Sequence, residues 1–187
     1  MRSDPTAVYR CIKARRWDSG MEDAHLPPFD PIAPGRWNDD SQYTVYTSHE
    51  PDVAVDELRG HLPVHGPRTV LGSILGAIPA PLDYEVVVLR IEVPRAFEES
   101  RTWDGRATPA SFVGLLDLCG DARVAAAGLI TTGYTRLIVP SAPRPTEWNS
   151  VMYFLGTGQP DEDHLPPRSD VEEVDRLTVS PNAPVCP

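Results

Sequence analysis

An α+β fold is predicted by three features of the chain: β-branched and aromatic runs near both ends, an amphipathic helical stretch behind the first of them, and helical patterns in the middle. With 187 residues, 41% of them hydrophobic, the chain can bury a sizeable core and fits one domain better than two. The tail differs in composition. Residues 160–187 carry seven acidic against two basic side chains and six prolines, half of the net charge of −10. A globular part over 1–158 is therefore expected, followed by an acidic, proline-rich tail over 159–187, ordered at most around Val171 to Val179.

Taken in order, Ala7 to Ala14 reads as a first strand carrying Tyr9 and Arg10. A loop stiffened by Pro27, Pro28, Pro31 and Pro34 leads to the turn Pro34-Gly35-Arg36-Trp37-Asn38. There Arg36 offers a permanent cation, and the Trp37 indole can anchor the loop from below. In the strand Tyr43-Thr44-Val45-Tyr46-Thr47, alternation puts Tyr46 on the face of Thr44, opposite Tyr43, Val45 and Thr47. Pro51 and Asp52 open a helix with Val55, Leu58 and Leu62 as its apolar stripe and Glu57 beside it.

The stretch 63–82 is apolar but broken by glycine and proline, and its structure stays open between core and interface. Tyr84 to Val93 is so continuously apolar that a strand inside a sheet, buried on both faces, is expected. Pro109 to Leu118 and Asp121 to Ala127 read as helices, and Thr135 to Val139 and Val151 to Leu155 as late strands. Trp103 and Trp148 read as aromatics anchored in loops.

Composition excludes several function classes. The net charge of −10 argues against a nucleic-acid groove. No apolar stretch is long enough to cross a bilayer, and Met1 to Pro5 lacks the apolar part of a secretion signal, so a cytoplasmic location is expected. Cys11, Cys119 and Cys186 indicate neither a disulfide framework nor a metal site and are read as buried thiols. His25, His49, His61, His65 and His164 lack metal spacing and are read as exposed. The chain has neither a phosphate loop nor a Rossmann glycine turn.

Gly35-Arg36-Trp37-Asn38, Tyr46 before Glu50-Pro51-Asp52, Glu57-Leu58-Arg59, Gly120-Asp121, and Val139-Pro140-Ser141-Ala142 before Asn149-Ser150-Val151 together resemble the RES-domain family, over about Tyr9 to Phe154. The resemblance implies a fold similar to ADP-ribosyltransferases, with a cleft between two β-sheets, and an activity that degrades NAD+. It implies a bacterial toxin whose partner is an antitoxin with a DNA-binding segment, and it leaves self-assembly open. The implied functional set is Arg36, Tyr46, Glu57 and Ser141, with Arg36, Tyr46, Arg10 and Asn38 binding NAD+. NAD+ is then substrate, with water or inorganic phosphate as acceptor, and no cofactor is called for. An ADP-ribosyltransferase acting on a macromolecule, or a silent nucleotide-binding module, is the alternative.

The chemistry suits these residues. Breaking the nicotinamide–ribose bond builds positive charge on the sugar, which a carboxylate such as Glu57 stabilises. Arg36 would grip the pyrophosphate, Tyr46 would stack on or orient the ribose, and Ser141 would hold a ribose or amide group at the cleft wall. Plainer roles compete with each. Arg36 could pair with Asp39 or Asp40, Tyr46 fill core, Glu57 pair with His61 four residues on, Ser141 merely turn the chain, and Arg10 be structural.

Overall fold

A computed structural model describes residues 6–26, 36–38, 43–62, 83–97, 100–102, 131, 133–154 and 167–181. The stretch 63–82, the helices expected over 109–127, Gly120, Trp103, Cys119, Cys186, His65, His164, Asp39 and Asp40 lie outside the described residues. The first strand, β1 (Ala7–Lys13), ends one residue early, because Ala14–Trp17 forms a short helix, α1. Beyond it the chain reverses through Gly20, whose φ of 72° suits a residue without a Cβ. Next come β2 (Tyr43–Ser48), α2 (Pro51–His61), β3 (Tyr84–Glu92), β4 (Ser100–Thr102), β5 (Arg136–Pro140), β6 (Trp148–Phe154) and β7 (Val171–Val179).

Two corrections concern the late strands. β6 begins three residues earlier than the apolar run suggested, so Trp148 is a strand residue and not a loop anchor, and Asn149 faces a neighbouring strand. β4 carries no apolar signal of its own and is a strand through parallel pairing with β5.

The described strands form one seven-stranded sheet in the order β4-β5-β6-β2-β1-β3-β7, antiparallel except for β4 and β5. Two sheets were expected, and the register shows how one sheet stands in their place. β1 and β2 pair only at Tyr9 and Ser48, whereas β1 and β3 pair over their full length. A single bridge thus joins a four-strand half to a three-strand half.

Side-chain alternation separates the faces as the sequence implied. Val87, Leu89 and Ile91 of β3 join Val8, Ile12, Val45, Trp17 and Phe97 on one face. On the other, Val86 and Val88 meet Cys11 together with Ala54, Val55, Leu58 and Leu62 of α2. β3 is therefore internal and buried on both faces, and each fully buried valine or leucine contributes about 1.5–3 kcal/mol.

Within the acidic tail lies β7, anchored by charge as well as by backbone. Arg168 stacks on the Trp17 ring at 3.7 Å, and its Nη2 donates to the Trp17 carbonyl at 2.6 Å. Arg176 donates to both oxygens of Asp18 at 2.8 and 3.0 Å. A bulge opposite Val88 and Leu89 skips Val174, which is 40% exposed. The extra residue flips the alternation, so that Val171 enters the first core and Leu177 and Val179 the second. Deleting Val174 is expected to leave Val171, Leu177 and Val179 on their present faces, because Glu173 and Asp175 then follow one another opposite Leu89 and Val88, and to move the urea midpoint by no more than about 0.5 kcal/mol of stability. A midpoint lower by the equivalent of about 2–4 kcal/mol would mean that β7 had slipped against β3 rather than closed into a regular ladder.

Candidate active site

Where β1 and β2 diverge, the sheet leaves backbone groups without a ladder partner, and Arg10 crosses the gap. Its Nη1 donates to the Tyr46 carbonyl at 2.9 Å, while its Nε has no hydrogen-bond partner among the described residues. Beside this seam is a cavity of about 130 Å³ whose wall includes Arg10 and Cys11 of β1, Tyr46 of β2, Glu57 and His61 of α2, and Asn149 of β6. Desolvation lowers the Arg10 pKa to about 10, leaving it cationic near neutral pH. Burial pushes the Cys11 thiol up to about 12, which removes it as a thiolate nucleophile.

Glu57 reaches the site because the apolar stripe of α2 packs on the three-strand half, leaving the next helical position to face the seam. Its Oε1 accepts three hydrogen bonds, from Ser141 Oγ at 2.8 Å, the Ala142 amide at 3.1 Å and Asn149 Nδ2 at 2.5 Å. Oε2 accepts none from the described residues. The carboxylate is thus fixed through one oxygen and presents the other.

Neighbouring Asp56 points differently. It takes Arg144 Nε at 2.7 Å and Arg59 Nη1 at 3.4 Å, and Arg144 also pairs with Asp52. These pairs strap the β5–β6 turn, which supplies Ser141 and Ala142, to α2. Glu57 makes no ion pair with His61, so the i,i+4 alternative does not hold. Arg144→Gln is expected to change stability little, since the arginine is 39% exposed and its ion pairs are screened by solvent. Turnover should nevertheless fall several-fold as the strap loosens; equal rates for variant and wild type would leave the strap no part in holding Glu57.

Tyr46 takes the face predicted for it. Its ring packs with Trp37, Leu137, Val139, Val151 and Tyr153, whereas Val45 and Tyr43 join the opposite core. The phenol donates to Asn38 Oδ1 and accepts from the Trp37 amide, both at 2.8 Å. Tyr153 donates to the Trp37 carbonyl at 2.8 Å. With the Trp37 indole only 2% exposed, the Arg36 loop is pinned to the four-strand half. Arg36 itself is half-buried, its guanidinium 5.5 Å from the indole. Desolvation holds its pKa below the ordinary value, and the Glu57 charge partly offsets that.

The predicted residues therefore converge on one region but not in one layer. Tyr46, Glu57 and Arg10 line the cavity, and Arg36 lies within electrostatic reach of Glu57. Ser141, 1% exposed, gives its hydroxyl to Glu57 and does not occupy the cleft wall expected for it. Asn38, also 1% exposed, serves Tyr46. The histidines were expected to be exposed, yet His25 is 1% exposed between buried Ala24 and Leu26, and His49 Nε2 lies 2.9 Å from Ser150 Oγ. Asn149 had no assigned role, because a strand read as starting at Val151 left it in a loop.

Chemically, the cavity offers a fixed carboxylate, an aromatic ring and the Arg10 guanidinium, with the Arg36 charge within electrostatic reach of Glu57. That set can hold an anionic ligand and stabilise positive charge developing at one atom. Residues 7–175 match the RES domain family, a span that takes in every element of the site and runs into β7. No curated protein matches the chain.

Proposed function

The chain belongs to the RES-domain family, and we propose that it is the toxin of a bacterial toxin–antitoxin pair that cleaves the nicotinamide–ribose bond of NAD+. The observation that carries this reading is Glu57, held by three donors on one oxygen with its other oxygen open, in the wall of the seam cavity. The near-division of the sheet at Tyr9 and Ser48 supports it too, since a dinucleotide needs a cleft and an unbroken sheet has none.

In the proposed reaction the bond from ribose C1 to the pyridinium nitrogen breaks, and its electron pair neutralises the ring. Nicotinamide leaves without needing an acid, because its nitrogen is already cationic. The oxocarbenium charge left on the sugar lies beside the open Glu57 oxygen. Water, giving up a proton to solvent, or the oxygen of an inorganic phosphate anion then adds at C1, giving ADP-ribose or its 1-phosphate. Arg36 binds the pyrophosphate, with Arg10 as a second polar contact, and Tyr46 places its ring against the ribose or nicotinamide. Ser141 positions Glu57, and Asn38 positions Tyr46.

Mixing the purified protein with NAD+, with and without phosphate, and separating the products tests this reading. Free nicotinamide is expected, with ADP-ribose and its phosphorylated form telling the acceptor. If labelled ADP-ribose instead appears on proteins or nucleic acid in a cell extract, the transferase alternative replaces it. If NAD+ survives intact and expression leaves growth unaffected, the site is a binding module.

A further inference from the structure

Among the described residues, Ala54, Glu57, Leu58 and His61 are the part of α2 that lines the seam cavity. Their spacing of i, i+3, i+4 and i+7 gathers them within an arc of about 100° on one side of the helix, so the His61 side chain projects on the same face as that of Glu57. His61 ends α2, about 6 Å further along the axis than Glu57, and is exposed to solvent although it lines the cavity. It therefore stands at the mouth, with the less exposed carboxylate one turn back. The imidazole makes no hydrogen bond or ion pair among the described residues, and Glu57, which i,i+4 spacing would let it hold, is bound instead by Ser141, Ala142 and Asn149.

Water that adds to the sugar loses a proton, and the described wall groups differ in whether they can receive it. Cys11, pushed up to about 12, and Arg10, lowered only to about 10, keep their protons near neutral pH. The Tyr46 phenol already donates to Asn38 and accepts from the Trp37 amide. Tyr9, Thr47 and Ser48 add only hydroxyls and Asn149 an amide, all weak bases. Glu57 opposes the sugar cation and keeps that role only while it stays charged. An imidazole both takes up and releases a proton near neutral pH. We propose that His61 is a further catalytic residue, which holds the water that adds at C1 and takes its proton. A lone pair of the water oxygen forms the bond to C1, the O–H electron pair stays on that oxygen, and the proton passes to an imidazole nitrogen and from there to solvent. Phosphate needs no such help, because its oxygen arrives already anionic. The role as base rests on the proposed NAD+ cleavage, whereas the position at the cavity mouth does not.

Partition between acceptors tests the proposal. Wild type and His61→Gln are given NAD+ with sodium azide or phosphate, anionic acceptors that add without losing a proton, and ADP-ribose is separated from ADP-ribosyl azide or the 1-phosphate. Circular dichroism and a thermal melt confirm that the substitution, at an exposed helix end, keeps the fold. The ratio of anion product to ADP-ribose should rise about 10²-fold in His61→Gln, the low end of what a general base contributes. Anion product itself should form as fast as in wild type. An equal ratio in variant and wild type overturns the proposal and leaves NAD+ cleavage standing. So does a fall of all products alike, which marks His61 as structural, or a wild type that makes the 1-phosphate and no ADP-ribose. A wild type that releases no nicotinamide with any acceptor defeats the proposed reaction, and the role of His61 with it.

Discussion

Glu57→Gln is expected to lower NAD+ cleavage by about 10²- to 10³-fold while leaving the fold intact, the scale of losing one fixed electrostatic contact to a transition state. Geometry makes this substitution clean. The glutamine carbonyl can accept from Ser141 Oγ, the Ala142 amide and Asn149 Nδ2 in place of Oε1, while the new NH₂ takes the open Oε2 position. Shape and donors are retained, and the charge facing the sugar is lost. Glu57→Ala differs, because it deprives three donors at once, each loss costing about 1–3 kcal/mol where the group is buried. A thermal melt beside the nicotinamide assay separates the cases: the Gln variant should melt near wild type and the Ala variant well below it. Turnover close to wild type in Glu57→Gln would remove the carboxylate from the mechanism.

Tyr46→Phe should act on binding and stability together. The lost hydroxyl gives one hydrogen bond to Asn38 and takes one from Trp37, both in the loop that carries Arg36. A stability loss of about 1–3 kcal/mol is expected, since both bonds involve residues no more than 2% exposed. The ring that faces the cavity remains, so stacking on the ligand survives. KM for NAD+ should therefore rise more than kcat falls, because the pyrophosphate grip slackens while Glu57 stays in place. A variant with wild-type KM and melting temperature would show that the phenol does not set the Arg36 loop.

The sequence by itself determined the local elements and the three segments that meet at the site. A β-branched and aromatic run marks Tyr43 to Thr47, an unbroken apolar run marks Tyr84 to Val93, and the Val55, Leu58 and Leu62 spacing marks α2, because each element's side-chain period is a property of its own backbone. Arg36, Tyr46 and Glu57 are close in the chain, so a loop, a strand and a helix in succession bring them together over short connections. Tertiary structure decided what those residues touch. That Glu57 shares one oxygen among Ser141, Ala142 and Asn149 depends on partners 84 to 92 positions away, and no local pattern encodes such a pairing. The same holds for the lone bridge between β1 and β2, the Val174 bulge and the inward turn of Ser141. Strand order and register are settled by which faces can be buried together, a condition on the whole core that the side-chain period of a single segment does not contain.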